Sequence, residues 1–341
     1  MGIGEGQATN CKLIFLKVIM SSTSIKSYLS LVKFSHTIFA MPFALIGFCL
    51  GVRLYFISNG QWNLNKTIAW NPTHIPGDDF GAPPFQPLDA YSIARLFVLV
   101  IICMITARSA AMAFNRYLDS HFDAQNPRTA IREIPAGIIS RESALRFVVI
   151  NCVVFVIATF FINRLCFYLS PVALFVILFY SYTKRFTALC HLVLGVGLSL
   201  APIGAYLAVT GAFDVLPVLF SFAVLFWVSG FDIIYALQDE GFDRSQNLHS
   251  IPAALGKSRA LRISELLHLL SAACVVAAGL YAHFGWIYWI GTALFIGMLI
   301  YQHSIVKPTD LSKVNIAFMT ANGIASVIFS IFVLLDIFIH H

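Results

Sequence analysis

Two stretches of the chain repeat one arrangement of oxygen-bearing side chains. Asn115, Asp119 and Asp123 follow one another at intervals of four, and Tyr235, Asp239 and Asp243 do so 120 residues later, with Asp232 three positions ahead. On a helix such spacing places the members of each set within about 80° of one face. Successive carboxylates would then stand about 6 Å apart, and at an effective dielectric near 20 two such charges repel by roughly 3 kcal/mol. A divalent cation removes that repulsion, and all-oxygen ligands select Mg²⁺ or Ca²⁺. Mg²⁺ is seldom caged by protein alone; it keeps waters and bridges to substrate phosphates. The neighbouring bases suit that chemistry. Arg128 and Arg132 follow the first set, Lys184 and Arg185 lie between the sets, and Arg244 follows the second. Arg offers a fork that matches phosphate oxygens and Lys a point charge. Asp119, Asp123, Asp239 and Asp243 are therefore the candidate catalytic metal ligands, joined by Asn115 through its side-chain oxygen. Arg128, Arg132, Lys184, Asp232 and Tyr235 are assigned to substrate binding. Arg185, Arg244, Lys257 and Arg259 have the same charge but also suit plain topology signals.

The elements that position these groups follow from composition. Of 341 residues, 59% are hydrophobic and only 11% charged, against about 25% charged in soluble domains. A water-soluble monomer this apolar would expose large greasy patches, so the solvent for most of the surface is lipid. A hydrocarbon core of about 30 Å requires roughly 20 helical residues. Nine stretches qualify: 37–58, 92–114, 144–162, 165–183, 188–210, 215–238, 261–283, 285–304 and 314–339. Strands of about 10 alternating residues would leave a far weaker pattern. The expectation is an all-α integral membrane protein with two domains of very unequal size: an interfacial segment over 1–34 and a nine-helix domain over 35–341.

With the N-terminus inside, 18 of the 22 Lys and Arg residues fall at or near the inner face, and only Arg53, Lys66, Arg95 and Arg164 outside. That asymmetry satisfies the positive-inside rule, so the net charge of +6 needs no nucleic-acid partner. Both motifs leave outward-to-inward spans four apart, and each leads to an Ile-Pro-Ala, at Ile134-Pro135-Ala136 and Ile251-Pro252-Ala253. This suggests two parallel four-helix repeats plus a ninth helix, with the site at their interface. A Pro-rich loop over about 59–90 lies outside, and Lys33 and His36 stand at the inner mouth of the first span, where Lys33 could meet an acidic substrate. The seven cysteines show no C-x-x-C pair, so neither a disulfide framework nor a zinc site is expected. Residues 13–20 lack a cleavage site, and no myristoylation signal follows Met1-Gly2.

The segments Asn115-Arg116-Tyr117-Leu118-Asp119-Ser120-His121-Phe122-Asp123, continued by Asn126-Pro127-Arg128-Thr129 and Arg132-Glu133-Ile134-Pro135-Ala136-Gly137, resemble the first signature of the UbiA superfamily of intramembrane prenyltransferases. Gly230 to Arg244, with His249-Ser250-Ile251-Pro252 after it, is similar to the second, and Tyr182-Thr183-Lys184-Arg185-Phe186 resembles a family loop that helps hold diphosphate. The resemblance covers about residues 28–339. It implies a nine-helix bundle around a central cavity open sideways to lipid, two Mg²⁺ ions and a polyprenyl diphosphate donor. It also implies transfer of the polyprenyl group to a hydroxylated aromatic carboxylate in ubiquinone or menaquinone biosynthesis. The second signature resembles the 4-hydroxybenzoate branch. Arg116 stands where those enzymes usually carry Asp, as in a quinone-pathway subgroup, and leaves a dihydroxynaphthoate open as acceptor.

The main rival is a cation-coupled transporter, but transporters place their acids near mid-membrane, whereas these cluster at inner ends beside bases. An intramembrane aspartyl protease has no use for a duplicated spacing. Transfer from CDP-alcohols would need an Asp-Gly-x₂-Ala-Arg opening that is missing. The setting expected is a bacterial inner membrane with the site toward the cytoplasm; the bilayer is the evident partner, with no obligate protein partner. In a cysteine-free background, Ser120→Cys and Ser245→Cys should both be labelled from the cytoplasmic side by an impermeant reagent. Labelling from opposite sides would refute the parallel repeat.

Overall fold

The computed structural model describes residues 22–32, 39–57 and 89–340. Lys33, His36, the Pro-rich loop and most of the expected interfacial segment lie outside them. Every named element is helical: α1 (Ser22–Leu31), α2 (Met41–Ile57), α3 (Ala90–Gln125), α4 (Arg141–Ile162), α5 (Arg164–Thr183), α6 (Cys190–Thr210), α7 (Val215–Ala236), α8 (Glu240–Ser245), α9 (Ile251–Leu255), α10 (Lys257–Tyr281), α11 (Trp286–Ile305) and α12 (Asn322–Ile339). Polar side chains set the boundaries by accepting otherwise orphaned N–H groups. Asp89 caps α3 through Ser92 N at 2.8 Å, Ser140 caps α4 through Ser143 N at 3.1 Å, and Asp214 caps α7 through Leu216 N at 3.0 Å. Asn163 accepts from Cys166 N to start α5 and donates to Leu207 O at 2.8 Å, tying that end to α6. Gly211, at φ 64°, ends α6 in the left-handed region that glycine adopts without strain.

Among the described residues, seven helical stretches are long and apolar enough to cross a membrane: α3, α4, α5, α6, Val215–Ser245, α10 and Ile316–Ile339. The expected first and eighth spans correspond to α2, 17 residues long, and α11, whose Trp, Tyr, Gln and His residues dilute its apolar run. The apolar run of the second span ends near 114, but α3 continues as one helix through Asn115 to Gln125, as the helical spacing of the first motif implies. At 36 residues it is about 54 Å long, so its last turns carry the first motif beyond the apolar core. The second motif is not one straight face: α7 ends at Ala236, a 3₁₀ turn covers Leu237–Asp239, and α8 begins at Glu240.

Helices adjacent in sequence pack together from α3 through α7, then α10 on α7, α11 on α10 and α12 on α11, and α12 returns to α2, which lies on α6. Outward faces carry large exposed apolar side chains such as Tyr168, Phe175, Phe160 and Leu269, as a lipid solvent permits. The dry centre lies on α7, where Phe220, Ala223, Val224, Trp227 and Val228 have no exposure. A polar knot sits within it. Asn322 Oδ1 accepts from Trp227 Nε1 and Gln302 Nε2, both at 2.8 Å, while its Nδ2 donates to Ala317 O and Phe318 O. Those carbonyls belong to a π-helical turn over Ile316–Ala321, whose loosened ladder the asparagine satisfies. At the other end of α11, the fully buried Asp336 accepts from Gly285 N at 2.8 Å and Tyr288 N at 3.1 Å, capping one helix from the next.

Close helix approach depends on small residues, since lipid supplies no hydrophobic drive between helices. A Cβ on Gly47 would stand 2.0 Å from Pro202 O, and one on Gly195 2.5 Å from Leu225 O, so α2 meets α6, and α6 meets α7, at backbone contact. Gly47→Ala should destabilise the fold by roughly 1–3 kcal/mol, read as a lower melting temperature in detergent. A melting temperature equal to the wild type would show that α2 does not bear on α6 this closely.

Candidate active site

The last turns of α3 bring Asn115, Asp119 and Asp123 to the same end of the bundle as the turn after α7, which brings Asp239 and Asp243. Each of the four carboxylates meets its own base, two from the loop after α3 and two from the loop after α5. Asp119 Oδ1 accepts from Arg185 Nη2 at 3.1 Å, Asp123 Oδ1 from Arg132 Nη1 at 2.6 Å, and Asp243 Oδ1 lies 2.7 Å from Lys184 Nζ. Asp239 receives Arg128 on both oxygens, through Nε at 3.0 Å and through Nη2. Arg128 belongs to the loop after the first motif, so this bidentate pair joins the two motifs directly, with Asn126 Nδ2 adding a 3.3 Å contact to Asp239. Such paired Arg–carboxylate bonds are directional as well as strong.

Secondary contacts hold these groups. Arg128 Nη1 donates to Tyr235 Oη at 3.0 Å, its guanidinium lies 5.4 Å from the Tyr235 ring centre, and that ring rests on Phe318 at 4.3 Å. The π-helical turn thus sets Phe318, Phe318 sets Tyr235, and Tyr235 sets Arg128. Asp243, with no exposure, accepts from Ser250 Oγ at 2.9 Å, while His249 N donates to Lys184 O at 2.7 Å. Burial opposes the Lys184 charge, but Asp243 outweighs it and holds the ammonium above its ordinary value. Asn115 Nδ2 donates to Asp119 Oδ2 at 3.1 Å, leaving its oxygen free. Among the described residues Asp232 meets no Lys or Arg; its Oδ2 lies 2.6 Å from His191 Nδ1, and Ile251 N donates to His191 Nε2 at 3.3 Å.

The structure therefore brings together Asn115, Asp119, Asp123, Arg128, Arg132, Lys184, Tyr235, Asp239 and Asp243, with Asp232 one helical turn before Tyr235. Arg244 and Lys257 turn instead to Glu240, at 2.9 and 3.8 Å. Arg185 is closer to the acids than its sequence context implies. Asn126, His191 and Ser250 were not singled out from sequence; Asn126 and Ser250 at least flank the motifs, whereas nothing local marks His191. Arg116 is 5% exposed, with Nε and Nη1 unpartnered and Asp123, Arg132 and Glu133 as charged neighbours.

Among the described residues no three His, Cys, Asp or Glu side chains converge on one ligand point. That suits Mg²⁺, which takes one or two carboxylates and completes its shell with phosphate oxygens and water. The donor set is all oxygen, and Asp123 Oδ2 is buried without a partner, as an unused ligand atom would be. Behind the acids, a cavity of about 380 Å³ opens between α3, α5 and α6. Its wall is Met104, Ala107, Met112, Val176, Leu198 and similar residues, and Arg108 is the charged side chain among those that line it. The α3 lining runs from Val100 to Met112 and points along the same helix to Asn115.

The model of the UbiA prenyltransferase family matches residues 82–324. A 4-hydroxybenzoate octaprenyltransferase of Nitrosospira multiformis is 32% identical over 246 residues, covering 71% of this chain and 84% of the relative. The namesake of Burkholderia mallei is 29% identical, with the same coverage. Among solved structures, an apo UbiA homologue from Aeropyrum pernix K1 superposes with a TM-score of 0.67 at 27% identity, covering 89% of this chain and 98% of that one. A homologue from Archaeoglobus fulgidus bound to GPP and Mg²⁺ shares the fold at a TM-score of 0.64 and 18% identity, covering 92% and 100%. With its paired acid motifs and its multi-pass helical bundle, this chain belongs to the UbiA prenyltransferase family.

Proposed function

We propose that this prenyltransferase moves a polyprenyl group from its diphosphate to a ring carbon of a hydroxylated aromatic carboxylate, with 4-hydroxybenzoate first and a dihydroxynaphthoate second. The reaction would serve ubiquinone or menaquinone formation at the cytoplasmic face of a bacterial inner membrane. The observation that carries this reading is the closure of the two acid motifs on each other, through Arg128 and Asp239, at the end of the helix whose preceding turns line an apolar cavity.

Asp119, Asp123, Asp239 and Asp243, with the Asn115 oxygen, would hold Mg²⁺, two ions in all since the acids arrive as two sets. Bound there, the metal neutralises charge on the diphosphate and stabilises it as it departs. Arg128, Arg132, Lys184 and Arg185 supply N–H donors to the same oxygens. Each of these bases now holds an acid, so a diphosphate that draws the bases also frees the carboxylates. The cavity between α3, α5 and α6 receives the prenyl chain and excludes water from the allylic carbon once its C–O bond loosens. The ring carbon beside a hydroxyl attacks that carbon, diphosphate leaves, and loss of the ring proton restores aromaticity. Tyr235, held by Arg128 and Phe318, presents its ring and hydroxyl to the donor; Asp232, held by His191, orients the substrate one helical turn away. The relatives named for 4-hydroxybenzoate octaprenyl transfer support the first acceptor over the second. Lys33 remains assigned to the acceptor on sequence alone.

Purified protein offered both acceptors with one radiolabelled polyprenyl diphosphate should alkylate an aromatic acid, identified by product mass, and stop in EDTA. Asp119→Asn and Asp239→Asn should each lose at least about a hundredfold in turnover, or roughly 2.7 kcal/mol, with near-normal expression. Full activity in EDTA or in either variant would end the two-motif mechanism, and alkylation of an aliphatic alcohol alone would end the acceptor assignment.

A further inference from the structure

The segment from Lys184 to His191, between the end of α5 and the first turn of α6, holds three acids at once. Lys184 Nζ lies 2.7 Å from Asp243 and Arg185 Nη2 3.1 Å from Asp119, and at the far end His191 Nδ1 lies 2.6 Å from Asp232 Oδ2. The first two partners are bases that phosphate oxygens can draw away; the third is an imidazole. Helix register delivers it. α6 meets α7 at backbone contact at Gly195, where a Cβ would stand 2.5 Å from Leu225 O and 2.3 Å from Ser229 Oγ. The two helices run antiparallel, so one turn back along α6 from Gly195 is His191, and about one turn on along α7 from Ser229 is Asp232. The His191 side chain keeps 4% exposure and that of Asp232 24%, so the imidazole is walled in while the carboxylate stays reachable. Tyr180, on the cavity wall, has Asp119 and Asp232 as charged neighbours, so Asp232 stands near the cavity end closest to the first motif. The second ring nitrogen of His191 meets Ile251 N at 3.3 Å, in the segment where Ser250 donates to Asp243 at 2.9 Å.

We propose that His191 is a positioning residue: by holding Oδ2 it fixes the Asp232 carboxylate so that Oδ1 is the oxygen presented to the substrate. This rests on the substrate role given to Asp232 above. The last torsion of an aspartate side chain is broad and roughly two-fold, so a carboxylate without a partner does not aim either oxygen. A short contact to an enclosed ring removes that freedom. An arginine or lysine in the same place would not serve, because the diphosphate that draws Lys184 and Arg185 would draw it too and leave Asp232 unaimed. The enclosed imidazole cannot follow the diphosphate, so Asp232 keeps its orientation while its neighbours exchange partners. The two ring contacts then have separate meanings. Nδ1 acts on Asp232, and Nε2 acts on the backbone that follows the second motif; only the first governs turnover.

Asparagine and glutamine separate the two contacts, because an Asn amide reaches to where Nδ1 stands and a Gln amide to where Nε2 stands. The full-length protein, His191→Asn, His191→Gln, His191→Leu, Asp232→Asn and the double variant His191→Leu/Asp232→Asn are assayed with labelled polyprenyl diphosphate, Mg²⁺ and both aromatic acids. Product and released diphosphate are followed together. His191→Leu should lower kcat/KM roughly ten- to a hundredfold; His191→Asn should recover a large part of that loss and His191→Gln little of it. In the Asp232→Asn background, His191→Leu should cost less than about threefold more, since the residue acts through Asp232. Glutamine recovering activity as well as asparagine would overturn the proposal, as would losses that multiply in the double variant. So would a loss that follows melting temperature across the His191 variants, which is the mark of a purely structural role. Should His191→Leu not fold, the comparison of His191→Asn with His191→Gln decides equally. If the wild type releases diphosphate yet alkylates neither acid, the acceptor class fails, while diphosphate release across the variants still judges His191.

Discussion

Four carboxylates gathered at one end of a lipid-embedded bundle repel one another, and with Asp123 and Asp243 buried, water screens them only in part. The arrangement persists because each acid has its own base: Arg185 for Asp119, Arg132 for Asp123, Arg128 for Asp239 and Lys184 for Asp243. The bases come from the loops after α3 and α5, so the long reach of α3, the turn after α7 and the end of α5 are all constrained by this neutralisation. Breaking one pair strands a buried charge, which is far more costly than losing a surface contact. The same balance prepares the site for chemistry. On the proposed function, phosphate oxygens would compete for the bases, and the carboxylates so released would be free to hold the metal that accompanies the phosphate.

The packing of the bundle feeds directly into that balance. Asn322 binds the carbonyls of the π-helical turn and accepts from Trp227 on α7. The turn sets Phe318 against Tyr235, and Tyr235 receives Arg128. A structural asparagine in the driest part of the molecule is thus three contacts from the pair that joins the two motifs. On the other side, Asn163 and the backbone contacts at Gly47 and Gly195 keep α2, α5, α6 and α7 close, leaving the cavity wall to small and flexible apolar residues. Rigidity around the acids and room beside them arise from the same helices.

Much of this was legible in the sequence, because its signals are local. Hydropathy reports where lipid lies, and the four-residue spacing of Asn115, Asp119 and Asp123 survives intact on α3. Arg128 and Arg132 are recognisable because they follow the first motif, and Lys184 because it lies in the next inner loop, on the side that topology demands. Hydropathy alone does not mark the end of α3, because it measures apolarity and a helix can continue through polar residues; the spacing of the motif does. The break at Leu237–Asp239 was invisible for a different reason: it turns Asp239 toward Arg128 and Asn126, 111 and 113 residues away, and no local pattern encodes that contact. His191 and Arg108 gave no warning either. One is a histidine at a helix start and the other an arginine near an inner face, and only the fold reveals that the first holds Asp232 and the second opens into an apolar cavity.

The central claim is that the paired acids and bases make metal and diphosphate binding interdependent. Calorimetric titration of the purified protein with Mg²⁺, with and without a polyprenyl thiolodiphosphate that resists ionisation, measures this directly. The account predicts that each ligand tightens the other by a factor of roughly 5–150, the usual range of coupling between sites, and that Arg128→Gln reduces this factor by removing the pair that links the motifs. Equal Mg²⁺ affinity in the presence and absence of the diphosphate analogue would contradict it.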